Sequence, residues 1–305
     1  MSSPAAPSNE EAIEAWNGVL FDCFVRFRDI VTTGLGAHGE RGLRLYPPRA
    51  GDRALDVGCG FGDTTRQLAE LVGPRGEALG VDAAQHFIDA ARREATEAGV
   101  ENARFLVADV QACELEGGFD YAFSRFGTMF FANPVFALRN VRRALVPGGR
   151  LCMVVWRRKL DNGWLHRAER VVEHFLARPE VTDEPTCGPG PFSMASADTT
   201  TDVLVRAGFE EISLHRCDSE IAIGADLDQA VEFVMALGPA GELIRLAGAQ
   251  AERRRSNIVA ALHGALAEWQ GPDGTGVRAP ASTWVVGARS PVPEPPPGPQ
   301  QGSKP

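Results

Sequence analysis

Between Arg53 and Trp156 short apolar runs alternate with helix-like segments, and this alternation restricts the fold more than any other feature of the chain. The strand-like runs are 53–57, 77–81, 104–108, 119–124 and 150–156. Helical segments fill 63–71, 84–98 and 134–145, and Gly99 ends the second of these as a glycine past the last turn does. Gly73-Pro74-Arg75-Gly76, Gly117-Gly118 and Pro147-Gly148-Gly149 mark turns. A strand that returns to its sheet through a helix lies parallel to its predecessor. The expected class is therefore α/β, a parallel sheet with helices on both faces.

The first strand runs into Gly58, Gly60 and Gly62 and then into a helix at Asp63-Thr64-Thr65. Strand, glycine turn and helix bring backbone N–H groups close to a ligand. Glycine there accepts an unusual φ and leaves room for a bulky cofactor. The spacing is G-x-G-x-G rather than G-x-G-x-x-G, and no Lys follows for a nucleoside triphosphate. The other strand ends narrow the ligand. Asp82 closes the second strand, where an acid accepts both hydroxyls of a ribose, in a dinucleotide as well as a simple nucleoside. Asp109 closes the third, where a carboxylate receives the exocyclic amine of adenine while Val110 offers its N–H. A dinucleotide fold does not call for that second acid. Ser124-Arg125-Phe126 closes the fourth strand beside the reactive end of such a ligand.

The segments LDVGCGFG, GVDAAQHFIDAAR, FLVADVQ, FDYAFSRFGTMFFANP and LVPGGRL lie within residues 53–155. In these the chain resembles class I S-adenosylmethionine-dependent methyltransferases. GPFS…LVRAGFEEI and STWVVGAR extend the likeness to about residue 289, within the group that resembles the ubiquinone/menaquinone-biosynthesis C-methyltransferases. The resemblance implies a doubly wound, Rossmann-like seven-stranded sheet of order 3-2-1-4-5-7-6, the last strand antiparallel, with helical cap insertions. It implies that Gly58 and Gly60 admit the methionine part of S-adenosylmethionine and that Asp82 binds its ribose. Ala83 would lie against the adenine, Asp109 and Val110 would hold its polar edge, and Ser124 and Arg125 would border the methionine. Asp56 would orient the loop and reach toward the cofactor amine. The implied reaction is methyl transfer to O, C or N of a small molecule, quinone-like or another secondary metabolite. An NAD-linked oxidoreductase and a non-catalytic cofactor-binding module are the alternatives.

The flanking segments carry the acceptor. Ile13, Trp16, Leu20, Phe24, Phe27 and Val31 mark one face of a helix of about six turns, with Ser8 and Glu11 as its capping box. Most of that face is expected to pack on the sheet. Trp16, beside Asn17, is expected to shield the cofactor. The expected organisation is a disordered start at 1–9, N-terminal helices and cofactor core at 10–156, and a cap insertion at 157–195. The end of the sheet follows at 196–289 with a second helical insertion at 227–270, and then a disordered tail at 290–305. In the cap, Asn162 and Trp164 are candidate acceptor-pocket residues, and Phe130, with Phe126, Met129 and Phe131, makes an apolar wall favouring a flat acceptor. Arg157, Arg158 and Lys159 follow strand five at the mouth of the site, as a solvated turn or as partners for an anionic acceptor. Methyl transfer needs alignment and water exclusion more than a base. Among His38, His86, His166 and His174, His166 is the first choice for one.

A net charge of −9 is unfavourable for nucleic-acid binding. No stretch approaches the roughly 20 apolar residues of a membrane span. The six cysteines form no C-x-x-C pair, so no metal site is expected. MSSPAAPSNE lacks the pattern of a signal peptide, and a cytoplasmic protein, monomer or homodimer, is expected.

Overall fold

The structure, a computed structural model, describes residues 9–177 and 189–293. Seven strands form one sheet: β1 (Arg53–Val57), β2 (Glu77–Asp82), β3 (Ala103–Val107), β4 (Phe119–Arg125), β5 (Leu145–Trp156), β6 (Glu210–Gly224) and β7 (Val277–Arg289). Their order is β3-β2-β1-β4-β5-β7-β6. The first five strands pair in parallel, and β7 runs antiparallel to both β5 and β6. This is the order and the strand sense expected above.

Alternating residues of the central strands feed two apolar layers. Ala54, Tyr121 and Phe123 pack with Leu68 and Val72 of α4 (Asp63–Val72) and Leu43 of α3 (Gly36–Leu45). Leu55, Val57 and Ala122 face the other way, toward Leu138 and Val141 of α6 (Pro134–Ala144) and Leu204 of α8 (Ala197–Ala207). Both faces of β1 and β4 are buried, which is why these strands read as nearly continuous apolar runs.

The two insertions, far apart in sequence, meet. α7 (Gly163–Phe175) packs on α10 (Gly238–Ala247) and α11 (Ala249–Leu266), and α9 (Leu227–Ala236) contacts all three. Trp164, Val172, Phe233, Leu243 and Leu262 of these helices join the same apolar cluster as Leu55 and Leu138. Cap and sheet therefore share one core.

The start of the chain differs from the expectation. The segment expected as one helix is α1 (Glu10–Asn17), α2 (Val19–Arg26) and a π-helical turn, Ile30–Gly34. Gly18 breaks the first two apart with φ −112° and ψ −113°. Ser8 of the expected capping box lies outside the described residues. Asn9 takes the N-cap position without a side-chain cap, and its Nδ2 donates instead to Asp109 Oδ2 at 3.3 Å. The apolar face of α1 and α2 does not lie on the sheet. It faces the cavity described below, so its large residues are only partly buried. Among the described residues no helix is long and apolar enough to cross a membrane.

Asn162, fully buried, joins the cap to the sheet. Its Oδ1 accepts from Ser282 N–H of β7 at 2.8 Å, and its Nδ2 donates to the carbonyls of Ser282 (3.1 Å) and Arg158 (3.2 Å). Removing that side chain leaves buried backbone groups unpaired. Asn162→Ala is expected to cost about 2–4 kcal/mol in chemical denaturation.

Candidate functional site

A cavity of about 770 Å³ opens at the carboxyl ends of β1 to β5, where open α/β sheets bind ligands. Its floor is the glycine loop. Gly58 N–H and Cys59 N–H both donate to the carbonyl of Val81 (2.8 and 3.1 Å), which hooks the loop over the end of β2. Gly58 has φ +70°, and a Cβ there would sit 2.9 Å from the Cα of Gly127 in the loop after β4. At Gly62, φ +72°, a Cβ would run into the ring of Phe105. These two glycines serve the crossing of two loops and the packing of helix on strand. The space for a ligand follows from that crossing.

Asp82 lines the cavity and accepts from the backbone N–H of Gly60 and of Ala84, both at 2.9 Å. Burial raises its pKa, and those hydrogen bonds oppose the rise. Asp109 lines the cavity one strand further out, with Oδ1 accepting from Gln111 N–H at 2.9 Å. Asn140 holds the adjoining turn by donating to the carbonyl of Val110 at 2.9 Å. Trp16, Gly58, Gly60, Ala83, Val110 and Arg125 also line the cavity. Trp16 meets Phe87 and Phe130 at ring centroids 6.4 and 5.0 Å apart, so the first helix is seated on the floor through aromatic edges. Arg125 is ion-paired with Asp63 in the first turn of α4.

Two residues expected at the cofactor stand behind the wall. Asp56 is 1 % exposed and accepts from Thr65 Oγ1 at 2.6 Å. Ser124 is fully buried and donates to the carbonyl of Val57 at 2.8 Å. Both tie loop to strand from below, and neither lines the cavity. Burial pushes the Asp56 carboxyl up to about 7, with the Thr65 hydroxyl and the Arg125 charge working against the shift.

The other half of the cavity is aromatic. Phe126 has φ +60°, uncommon for a bulky residue and frequent at functional sites. Its ring stacks on Trp156 at 4.3 Å and 22°. Trp164 stacks on Phe233 at 5.5 Å and 16°. Phe130, Met129 and Phe131 complete the wall as expected for the apolar side. Asn162 does not line the cavity, because its amide is used up between α7 and β7. Arg157 is buried and donates to Ser282 Oγ at 2.9 Å; it is neither a solvated turn residue nor part of the cavity wall.

No histidine lines the cavity. His166, on α7, does not line the cavity, although Trp164, Leu165 and Glu169 of the same helix do. His174 lies at a shallow groove on the outer side of the same helix. His86 Nδ1 is 2.6 Å from the carbonyl of Asn17, so it donates there and holds α1. His38 is fully buried against Thr283 Oγ1 at 3.0 Å, and burial lowers its pKa to about 4, which keeps the ring neutral.

Sequence reasoning missed Glu169. It interrupts the apolar stripe Trp164, Leu165, Ala168, Val172 of α7, is 4 % exposed and lines the cavity. A charge placed inside a helix's apolar face was the available signal. Phe233, Glu242 and Arg245 of the second insertion also line the cavity, and nothing local marked them.

Residues 48–201, about half of the chain, match the model of a methyltransferase domain. The chain belongs to that family. Two relatives match part of the chain. An aklanonic acid methyltransferase from Streptomyces sp. strain C5 is 35% identical over 114 residues, 37% of this chain and 52% of the relative. A demethylmenaquinone methyltransferase from Staphylococcus aureus is 35% identical over 111 residues, 36% of this chain and 45% of the relative. The chain thus spans about half the length of the curated relatives it matches. The YcgJ protein of Bacillus subtilis shares the fold at TM-score 0.53 and 18% identity, covering 86% of this chain and 99% of that one. The family match ends before α9, so the second half of the cap is not part of the shared domain.

The titration of Asp56 gives a test of the buried floor. Its folded pKa lies above the unfolded value of 3.8, so the folded chain binds more protons than the unfolded one between about pH 4 and pH 7. The contribution of Asp56 is full below that window and is lost as pH rises through it. Stability of the wild type relative to Asp56→Asn is expected to fall across the window, by at most about 1.4 kcal/mol per pH unit, in paired urea titrations.

Proposed function

We propose that this chain transfers a methyl group from S-adenosylmethionine to a flat, largely apolar small molecule by in-line displacement. The observation that carries the reading is one continuous cavity with two unlike halves. Asp82 and Asp109 stand beside the glycine loop in one half, and stacked aromatic rings line the other. The donor set fits the cofactor. Two carboxylates on neighbouring strand ends suit ribose hydroxyls and an adenine amine, and Asp82 and Asp109 together suit a cationic ligand. Roles for Trp16, Gly58, Gly60, Ala83 and Val110 follow from the same placement, with Arg125 at the methionine end. Asp56 and Ser124 act by holding the loop. An NAD-linked reading is not favoured by the family match.

S-adenosylmethionine, when bound, supplies an activated methyl on a sulfonium. The residues of the chain do the rest by position. The backbone at the Gly58–Gly127 crossing would hold the methionine end, and Phe126, Met129 and Trp156 would position an acceptor beside it and exclude water. With no histidine in the wall, an acceptor that is already acidic, or a carbon nucleophile beside a carbonyl, needs no base from an imidazole. The likeness to methyltransferases named for aklanonic acid and demethylmenaquinone supports polycyclic or quinone-type acceptors and a place in secondary metabolism.

Titration calorimetry with S-adenosylhomocysteine tests the cofactor half. Binding in the micromolar range is expected, weakened about 10- to 100-fold by Asp82→Ala, which removes charge-assisted hydrogen bonds. No heat with either S-adenosylmethionine or its product sinks the reading.

A further inference from the structure

Asp63 and Arg125 both line the cavity beside the crossing of the two loops. Asp63 opens α4, one residue past Gly62, and Arg125 ends β4, two residues before Gly127. The two are ion-paired through Arg125 Nη2 and Asp63 Oδ2, and their side chains are 16 % and 25 % exposed. α3 leaves room for the arginine. A Cβ on Gly39 would stand 2.8 Å from Arg125 Cδ, so the stem lies where that helix has no side chain. The pair is only partly used. Among the described residues Asp63 Oδ1 and Arg125 Nε and Nη1 have no hydrogen-bond partner, and none of the three atoms is sealed from solvent. Each residue thus keeps an unused acceptor or donors on accessible atoms.

We propose that Asp63 and Arg125 bind the amino-acid end of the cofactor, Arg125 taking its carboxylate and Asp63 its ammonium. The proposal rests on the methyltransferase reading and assigns the two charges at one end of that ligand. The placement follows from the sheet. Its order puts Asp109 beyond β3, Asp82 at the end of β2, the glycine loop after β1 and Arg125 at the end of β4. A ligand with its adenine at Asp109 and its ribose at Asp82 extends its remaining arm across the glycine loop toward Arg125. The matching follows from charge. An amino acid carries its ammonium and its carboxylate on one carbon, and two side chains of opposite sign in contact present the reverse arrangement. A lone anion or a lone cation meets one attraction and one repulsion there, whereas a zwitterion meets two attractions. A guanidinium also receives a carboxylate through paired N–H donors. Asp56, the acid expected at the cofactor amine, stands behind the wall and leaves that role open.

Titration calorimetry of the full chain tests this with four ligands. They are S-adenosylhomocysteine, its analogue without the carboxylate, its analogue without the amine, and methylthioadenosine, which has neither. The wild type is expected to bind S-adenosylhomocysteine about 10- to 100-fold more tightly than methylthioadenosine, and about tenfold or more above each single-charge analogue. Arg125→Met keeps a stem against α3 and removes the charge. It is expected to weaken S-adenosylhomocysteine about tenfold or more and to leave the analogue without the carboxylate unweakened. Asp63→Asn is expected to weaken S-adenosylhomocysteine likewise and to leave the analogue without the amine unweakened. A structural role alone would weaken all four ligands alike. Equal binding of S-adenosylhomocysteine and methylthioadenosine by the wild type overturns the proposal, and so does a folded variant that weakens all four alike or none. If one variant does not fold, the other variant and the wild-type order decide. A wild type that binds none of the four is instead a failure of the methyltransferase reading, and the proposal falls with it.

Discussion

The backbone crossing at Gly58 and Gly127 governs the geometry of the site. Each glycine faces the other's chain: a Cβ on Gly127 would sit 2.8 Å from the carbonyl oxygen of Val57, and one on Gly58 would press on Gly127 itself. Because neither has a side chain, the loop after β1 lies directly against the loop after β4. That contact brings the acid-lined end of the cavity and its aromatic end into one space. Buried hydrogen bonds hold the crossing from below. Ser124 reaches Val57, Thr65 reaches Asp56, and the Asp82 carboxylate grips Gly60 from the side. A polar network in a dry interior is rigid when its members are satisfied, which suits a loop that must present its backbone without rearranging.

Above this floor the chain uses apolar contact rather than hydrogen bonds. The roof is α1 and α2, seated through Trp16, Phe21 and Phe24 on Phe61 and Phe87. The far wall is assembled from two insertions that continue the core of the sheet. Aromatic edges and a few side-chain bonds, such as Asn9 to Asp109 and Asn17 to His86, are weaker anchors than a strand ladder. The site thus combines a rigid end with an end built from large, half-buried side chains.

Much of the first end was legible in the chain. Asp82 and Asp109 were recognisable because each follows an apolar run of strand length, and strand ends in an open α/β sheet converge on one edge. Asp56 and Ser124 were visible as polar residues in strands, but their direction was not. In a strand with both faces buried, alternation does not tell floor from wall. Asn162 and His166 mark a second limit. Position in a cap helix suggested contact with the acceptor, yet Asn162 is engaged with β7, and His166 does not line the cavity.

The sequence by itself determined the sheet, its strand order through the family resemblance, and the acids at the strand ends, since these follow from period and from punctuation by glycine. Only the tertiary structure decided what lines the aromatic half of the cavity. Phe233 and Arg245 lie far along the chain from Phe126 and Lys159, and no local pattern couples them. Their meeting depends on how α7, α9 and α10 pack, which is a property of complementary apolar surfaces rather than of any one segment. The glycine loop needs only its own backbone and its neighbouring strands, so it can be read in place. The aromatic half of the cavity exists only after long-range packing has formed it.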